Sequence, residues 1–137
     1  MSKKRAAMTF IVHCHPYNRD ILFSLGGKFA PVKRKLKELR MTKQDIEKFR
    51  KDFEGYHVGP NKGKTWQLST GQQIVQVPVP MNAAQIALLG HEVLHAVSFV
   101  LRKAGIEHTD ETEEAYTYLH QFVMHQVLRE VGEKHWK

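Results

Sequence analysis

From Ala83 to Lys103 the sequence runs without proline and with one glycine, Gly90, and its apolar residues (Ile86, Leu89, Val93, Val97, Val100 and Leu101 among them) fall on most of the circumference of a helix. A helix of that kind is buried, and it obliges the rest of a small domain to pack around it. Both its ends are marked. Asn82 can accept from the first turn, and Gln85 stands where a capping box has its second member. Arg102 and Lys103 suit the negative end of the helix dipole, with Gly105 as the stop.

The other elements are shorter. A final helix is expected from about 111 to 130, capped by Thr109 or Asp110. Residues 8–13 and 21–25 are β-branched and aromatic and read as strands, joined by the turn-prone residues 16–20 and stopped by Gly26 and Gly27. Residues 31–54 are basic and helical in pattern, with Leu36 and Leu39 on one stripe and Ile46, Phe49 and Phe53 on another. Thr42 followed by Asp45 resembles a helix start, so this region divides near Met41. Residues 66–68 and 74–77 flank Ser69-Thr70-Gly71 as a hairpin, and Pro78 and Pro80 make its second strand an edge or end it there. The expected architecture is one α+β domain over residues 1–137. Residues 1–80 supply a small antiparallel sheet and a basic helical segment, and residues 81–137 supply the helical part.

Composition bounds the function classes. At 137 residues, 42% apolar and 26% charged, the chain is one globular domain and not a disordered one. No apolar run approaches the roughly 18 residues of a membrane span, and residues 8–12 are too short for the core of a secretion signal. The single Cys14 excludes an intrachain disulfide and a four-cysteine zinc site. A cytoplasmic protein is the expectation. The net charge of +7 is uneven: residues 1–68 hold sixteen Lys and Arg against six Asp and Glu, and residues 69–137 hold five against eight. That asymmetry favours an acidic partner or substrate for the first half, with nucleic acid a less favoured alternative.

Chemistry is concentrated in the long helix, as His91-Glu92-Val93-Leu94-His95. Histidines four apart lie about 40° apart around a helix and one turn above each other, so both imidazoles can reach one ion. Zinc takes neutral imidazole nitrogens at about 2.0–2.1 Å. Glu92, about 100° from His91, is placed to take a proton from water beside the metal and return it to a leaving group. With nine His and ten Glu in the chain, the pattern arises by chance roughly 0.04 times.

A hydrolytic zinc site needs a third protein ligand and an open position. Ser98 and Leu101 occupy the places where a metzincin continuation would carry glycine and a third histidine. The candidates are Glu107, Glu111, Glu113 and Glu114. If Ala115, Tyr118, Leu119, Phe122 and Val123 form the packed face of the last helix, Glu114 lies at its margin and Glu113 about 100° further away. Glu114 is then the expected ligand, with Glu111 next. Tyr116, Tyr118, His108 and His57 are candidates for stabilising a transition state or supporting a ligand. His13 and His15 share a strand face and read as incidental histidines, and His120 and His125 as surface or packing residues.

His91-Glu92-x-x-His95, eighteen residues, then Glu114-Ala115 resembles the gluzincin arrangement of zinc metallopeptidases. The longer string through Gly105-Ile106 to Glu113-Glu114-Ala115-Tyr116-Thr117-Tyr118-Leu119 is similar to short zincin-like proteins of tailed phages and prophages. The resemblance covers about 40 residues. It implies a minimal zincin-like domain, one zinc ion held by His91, His95 and Glu114, and Glu92 as base and then acid. It also implies a sheet edge, here residues 74–77, beside an extended peptide substrate, and a bacterial host cytoplasm. Tyr118 stands where gluzincins often place an aspartate. The chain ends soon after the third-ligand helix, which implies a narrow substrate range. Two further readings use the same residues differently: a zinc amidase acting on non-protein amides, and a non-catalytic basic interaction module for nucleic acid or acidic protein, its metal structural or absent.

Overall fold

A computed structural model describes residues 6–56 and 58–135, with side chains through residue 132. The elements in chain order are β1 (Met8–Cys14), β2 (Arg19–Leu25), α1 (Phe29–Glu38), α2 (Lys43–Gly55), β3 (Lys64–Gln67), β4 (Gln73–Val77), α3 (Ala83–Lys103) and α4 (Glu113–His135). The fold is α+β, as its sequence pattern implies.

The four strands form one sheet in the order β1-β2-β4-β3. β1 pairs with β2 antiparallel, and β3 with β4 antiparallel, but β2 and β4 run parallel with Leu22 opposite Ile74. The expectation of an antiparallel sheet is therefore corrected to a mixed one. Between β2 and β4 the chain passes through α1, α2 and β3, and a crossover of that length returns it in the same direction. β4 ends at Val77, just before Pro78, as the prolines imply, but it is interior; the edges are β1 and β3, with β3 beside β4.

Both faces of the sheet are covered. Ile21 through Leu25 are five consecutive buried residues, the pattern of a strand packed on two sides. Ile21, Phe23, Leu25, Val75 and Val77 face α3 and α4, joining Leu89, Val93, Val97 and Val123 in one core. Leu22 and Ile74 face the other way, against Val32, Leu36, Ile46, Phe49 and Phe53 of α1 and α2. The basic helical segment is thus one outer layer, and the pair α3 and α4 is the other.

Helix ends follow local chemistry with two adjustments. α2 begins as expected, with the Thr42 hydroxyl accepting from Asp45 N at 3.1 Å. α3 has the expected bounds; the Asn82 side chain accepts from Gln85 N at 2.9 Å, and the Gln85 side chain accepts from Met81 N at 2.8 Å. α1 starts at Phe29 rather than at 31, which puts Pro31 in the first turn, where a missing N–H is harmless. α4 starts at Glu113, not at 111. Among the described residues neither Thr109 nor Asp110 caps it with a side chain; the Thr112 hydroxyl turns back to Glu107 O and accepts from Thr109 N.

α3 is not buried on all sides. Leu89, Glu92, Val93, Ala96, Val97, Val100 and Leu101 are buried, whereas His91, Leu94 and His95 are exposed on the opposite side. By length and composition this helix is also long and apolar enough to cross a membrane, and here its apolar side covers the sheet. The face of α4 is corrected too. Tyr116, Leu119, Val123, Val127 and Val131 are its buried residues, while Tyr118 and Phe122 are exposed.

Candidate metal site

The two histidines project from the solvent side of α3. Their Nε2 atoms stand 3.3 Å apart, with the rings at 79° to each other. Two nitrogens bound to zinc at about 2.05 Å and subtending the tetrahedral angle stand about 3.3 Å apart. The pair is therefore spaced as one ion requires before any ion arrives. The His91 side chain is 66% exposed, so the site opens to solvent.

Glu92 is oppositely placed: it is 7% exposed, turned toward the sheet edge. A buried carboxylate is costly unless bonded. Here the Thr65 hydroxyl of β3 lies 2.9 Å from Glu92 Oε1 and 2.9 Å from the Glu92 carbonyl oxygen. With Oε1 held in this way, Oε2 faces the histidines, 3.8 Å from His91 Nε2. The donor atoms of His91, Glu92 and His95 all lie within 4.8 Å of one another, the one such group of three among the described residues.

The segment between α2 and β3 closes over Glu92. Gly63 is positioned where a Cβ would meet Val77 Cγ1 at 2.5 Å, Gln76 O at 3.0 Å and Glu92 Cγ at 3.4 Å. Only glycine fits so close an approach. The Tyr56 hydroxyl donates to Gly63 O at 2.8 Å. Burial first, and the negative charge of Glu92 second, push the Tyr56 phenol above its ordinary value. Gln85 Nε2 donates to Pro60 O at 3.0 Å and ties the first turn of α3 to the same segment.

Thr65, Gly63 and Tyr56 were not legible as site residues. Each touches the site through the pairing of β3 with β4, and no spacing in the sequence reports that α3 lies on that edge. Tyr56 adjoins His57, which lies outside the described residues.

The remaining candidates fall elsewhere. Tyr116 donates to Ile106 O at 2.6 Å, and its ring packs against His108 at 4.5 Å. That pair closes the turn beyond the end of α3, so neither residue stands beside the histidines. Tyr118 is 67% exposed and lies about 160° around α4 from His120, whose ring meets Gly90 O of α3. Glu114 is exposed on the first turn of α4, outside the group of donors within 4.8 Å. The phase argument for it also changes. His120 of α4 meets Gly90 O of α3 at 3.1 Å, which fixes the stripe of α4 that faces α3. Glu113, seven residues before His120, shares that stripe to within about 20°, whereas Glu114 is about 120° from it. An apolar face that includes Tyr118 and Phe122 is displaced from this stripe, since both are exposed.

His13 forms a 2.6 Å pair with its cross-strand neighbour Asp20, and its ring centroid is 6.3 Å from that of His15. Cys14 is buried, and burial, with a smaller contribution from Asp20, pushes its thiol up to about 12. A thiol held neutral in that way is not a nucleophile. No protein-family model, curated protein or solved structure matches the chain.

Proposed function

We propose that the protein is a zinc-dependent hydrolase acting on peptide bonds. The observation that carries this reading is the spacing and orientation of His91, His95 and Glu92: two imidazole nitrogens 3.3 Å apart on an open face, beside a buried carboxylate. The donor set fits zinc. Imidazole nitrogens and a carboxylate are ligands it accepts, and the exposed rings leave positions free.

When bound, zinc would supply a Lewis acid that polarises a carbonyl and acidifies water. The chain's own residues supply the proton traffic. Thr65 holds one oxygen of Glu92, leaving the other to accept a proton from water on the histidine side and later to donate it to the departing amine. The Tyr56 phenol donates to Gly63 O and steadies the segment that closes over Glu92. The third protein ligand is sought on the first turn of α4, where Glu114 has the gluzincin spacing and Glu113 has the phase of His120. The edge strand β3 lies against Glu92, and an unpaired strand edge accepts an extended peptide through main-chain hydrogen bonds.

Zinc per chain, measured by elemental analysis after mild dialysis, tests the metal. About one zinc in the wild type, with loss in His91→Ala and in one of Glu113→Ala and Glu114→Ala, supports the site and names the carboxylate. Digestion of a peptide library by wild type and not by Glu92→Gln supports the chemistry. Absence of zinc after reconstitution overturns both.

A further inference from the structure

The flank of β3 away from the histidines carries an arrangement that the hydrolytic residues do not use. Lys64 and Trp66 alternate with Thr65 and point to the α2 layer, where Trp66 meets Phe49 at 5.5 Å and Tyr56 at 5.9 Å between ring centroids. Lys64 Nζ lies 5.1 Å from the Trp66 ring and 6.0 Å from the Tyr56 ring. Lys62 Nζ lies 5.0 Å from the Tyr56 ring. Both lysines are exposed, and neither is paired with a carboxylate among the described residues. Two ammonium groups are thus held over aromatic faces at a sheet edge, with no internal counter-charge.

We propose that Lys62 and Lys64 make this edge selective for an extended acidic peptide. The inference rests on the hydrolase reading for its consequence, but not for its binding step. A strand added beside β3 alternates its side chains as β3 does. The peptide residue opposite Thr65 faces Glu92 and the histidines. Of its two neighbours, one lies opposite Lys64, where opposite charges across a strand pair attract, and the other opposite Trp66; the next residue on the Lys64 side of the same face runs toward Lys62, which precedes β3. Selectivity therefore falls on the residue opposite Lys64 and on the next residue of the same face toward Lys62, and those residues are Asp or Glu. The excess of Lys and Arg in residues 1–68 adds a long-range field of the same sign.

The test uses two fluorescent ten-residue peptides that differ only in carrying Glu or Gln at the first and third positions on each side of a central Ala, which covers either strand direction. Binding is read by anisotropy on full-length Glu92→Gln protein, with and without added zinc. The expected result is about five- to tenfold tighter binding of the Glu peptide at low salt, shrinking as salt rises. In the Lys62→Gln/Lys64→Gln variant the two peptides bind alike, while circular dichroism confirms folding. Equal binding by the parent protein overturns the inference, as does binding of neither peptide. Tighter binding of a ten-nucleotide oligothymidine than of the Glu peptide overturns it as well, since a basic edge with stacked aromatics also suits single strands. Zinc content of the same samples reports separately on the metal site. A bound but uncleaved Glu peptide with zinc-loaded wild type refutes the hydrolase and leaves the acidic selectivity standing.

Discussion

Thr65→Val isolates the contact that anchors Glu92. Valine keeps the shape and the strand propensity of threonine and removes only the hydroxyl. That hydroxyl is 2.9 Å from Oε1 of a carboxylate that is 7% exposed, so water has little room to replace it. A hydrogen bond to a buried charge is worth about 1.5–3 kcal/mol, and the unfolding free energy should fall by about 2 kcal/mol. For a domain of this size that is about 6–10 °C in Tm. Urea unfolding of metal-free protein measures it, with an unchanged m-value showing that only stability has moved. The loss should drop to about 1 kcal/mol in a Glu92→Gln background, where the acceptor is neutral. A loss below about 0.5 kcal/mol, or one of equal size in both backgrounds, refutes the reasoning that Thr65 holds a charge in place.

Gly63→Ala should cost about 1–3 kcal/mol by overpacking, because its Cβ meets Val77 Cγ1 at 2.5 Å, and thermal unfolding measures the loss. Zinc at about a hundred times its dissociation constant should raise stability by about 2.7 kcal/mol in wild type and not in His91→Ala/His95→Ala, as read by Tm with and without metal. The Cys14 thiol is held up to about 12 against an ordinary value near 9, so the folded state keeps its proton longer than the unfolded one. Stability from this group is complete below pH 9 and falls by about 1.4 kcal/mol per pH unit as pH rises toward 12. A Cys14→Ala variant should lack that component of the slope in denaturant titrations from pH 8 to 11, and folded wild type should resist thiol reagents at pH 8.

The sequence by itself determined the elements whose signals are local. The capped span of α3, the Thr42 start of α2 and the Gly71 hairpin all depend on residues within a few positions of one another, and backbone hydrogen bonding acts over that range. His91, Glu92 and His95 were legible for the same reason, since one helical turn fixes their relation. Tertiary structure decided which strand became the edge, which side of α4 was buried, and what surrounds Glu92. Periodicity marks an apolar face without saying what covers it. The same pattern lets Tyr118 and Phe122 pass for core, although both are exposed. Strand order depends on which crossover buries the most apolar area, a sum over the whole chain. Thr65, Gly63 and Tyr56 reach Glu92 only because that sum placed β3 outermost against α3.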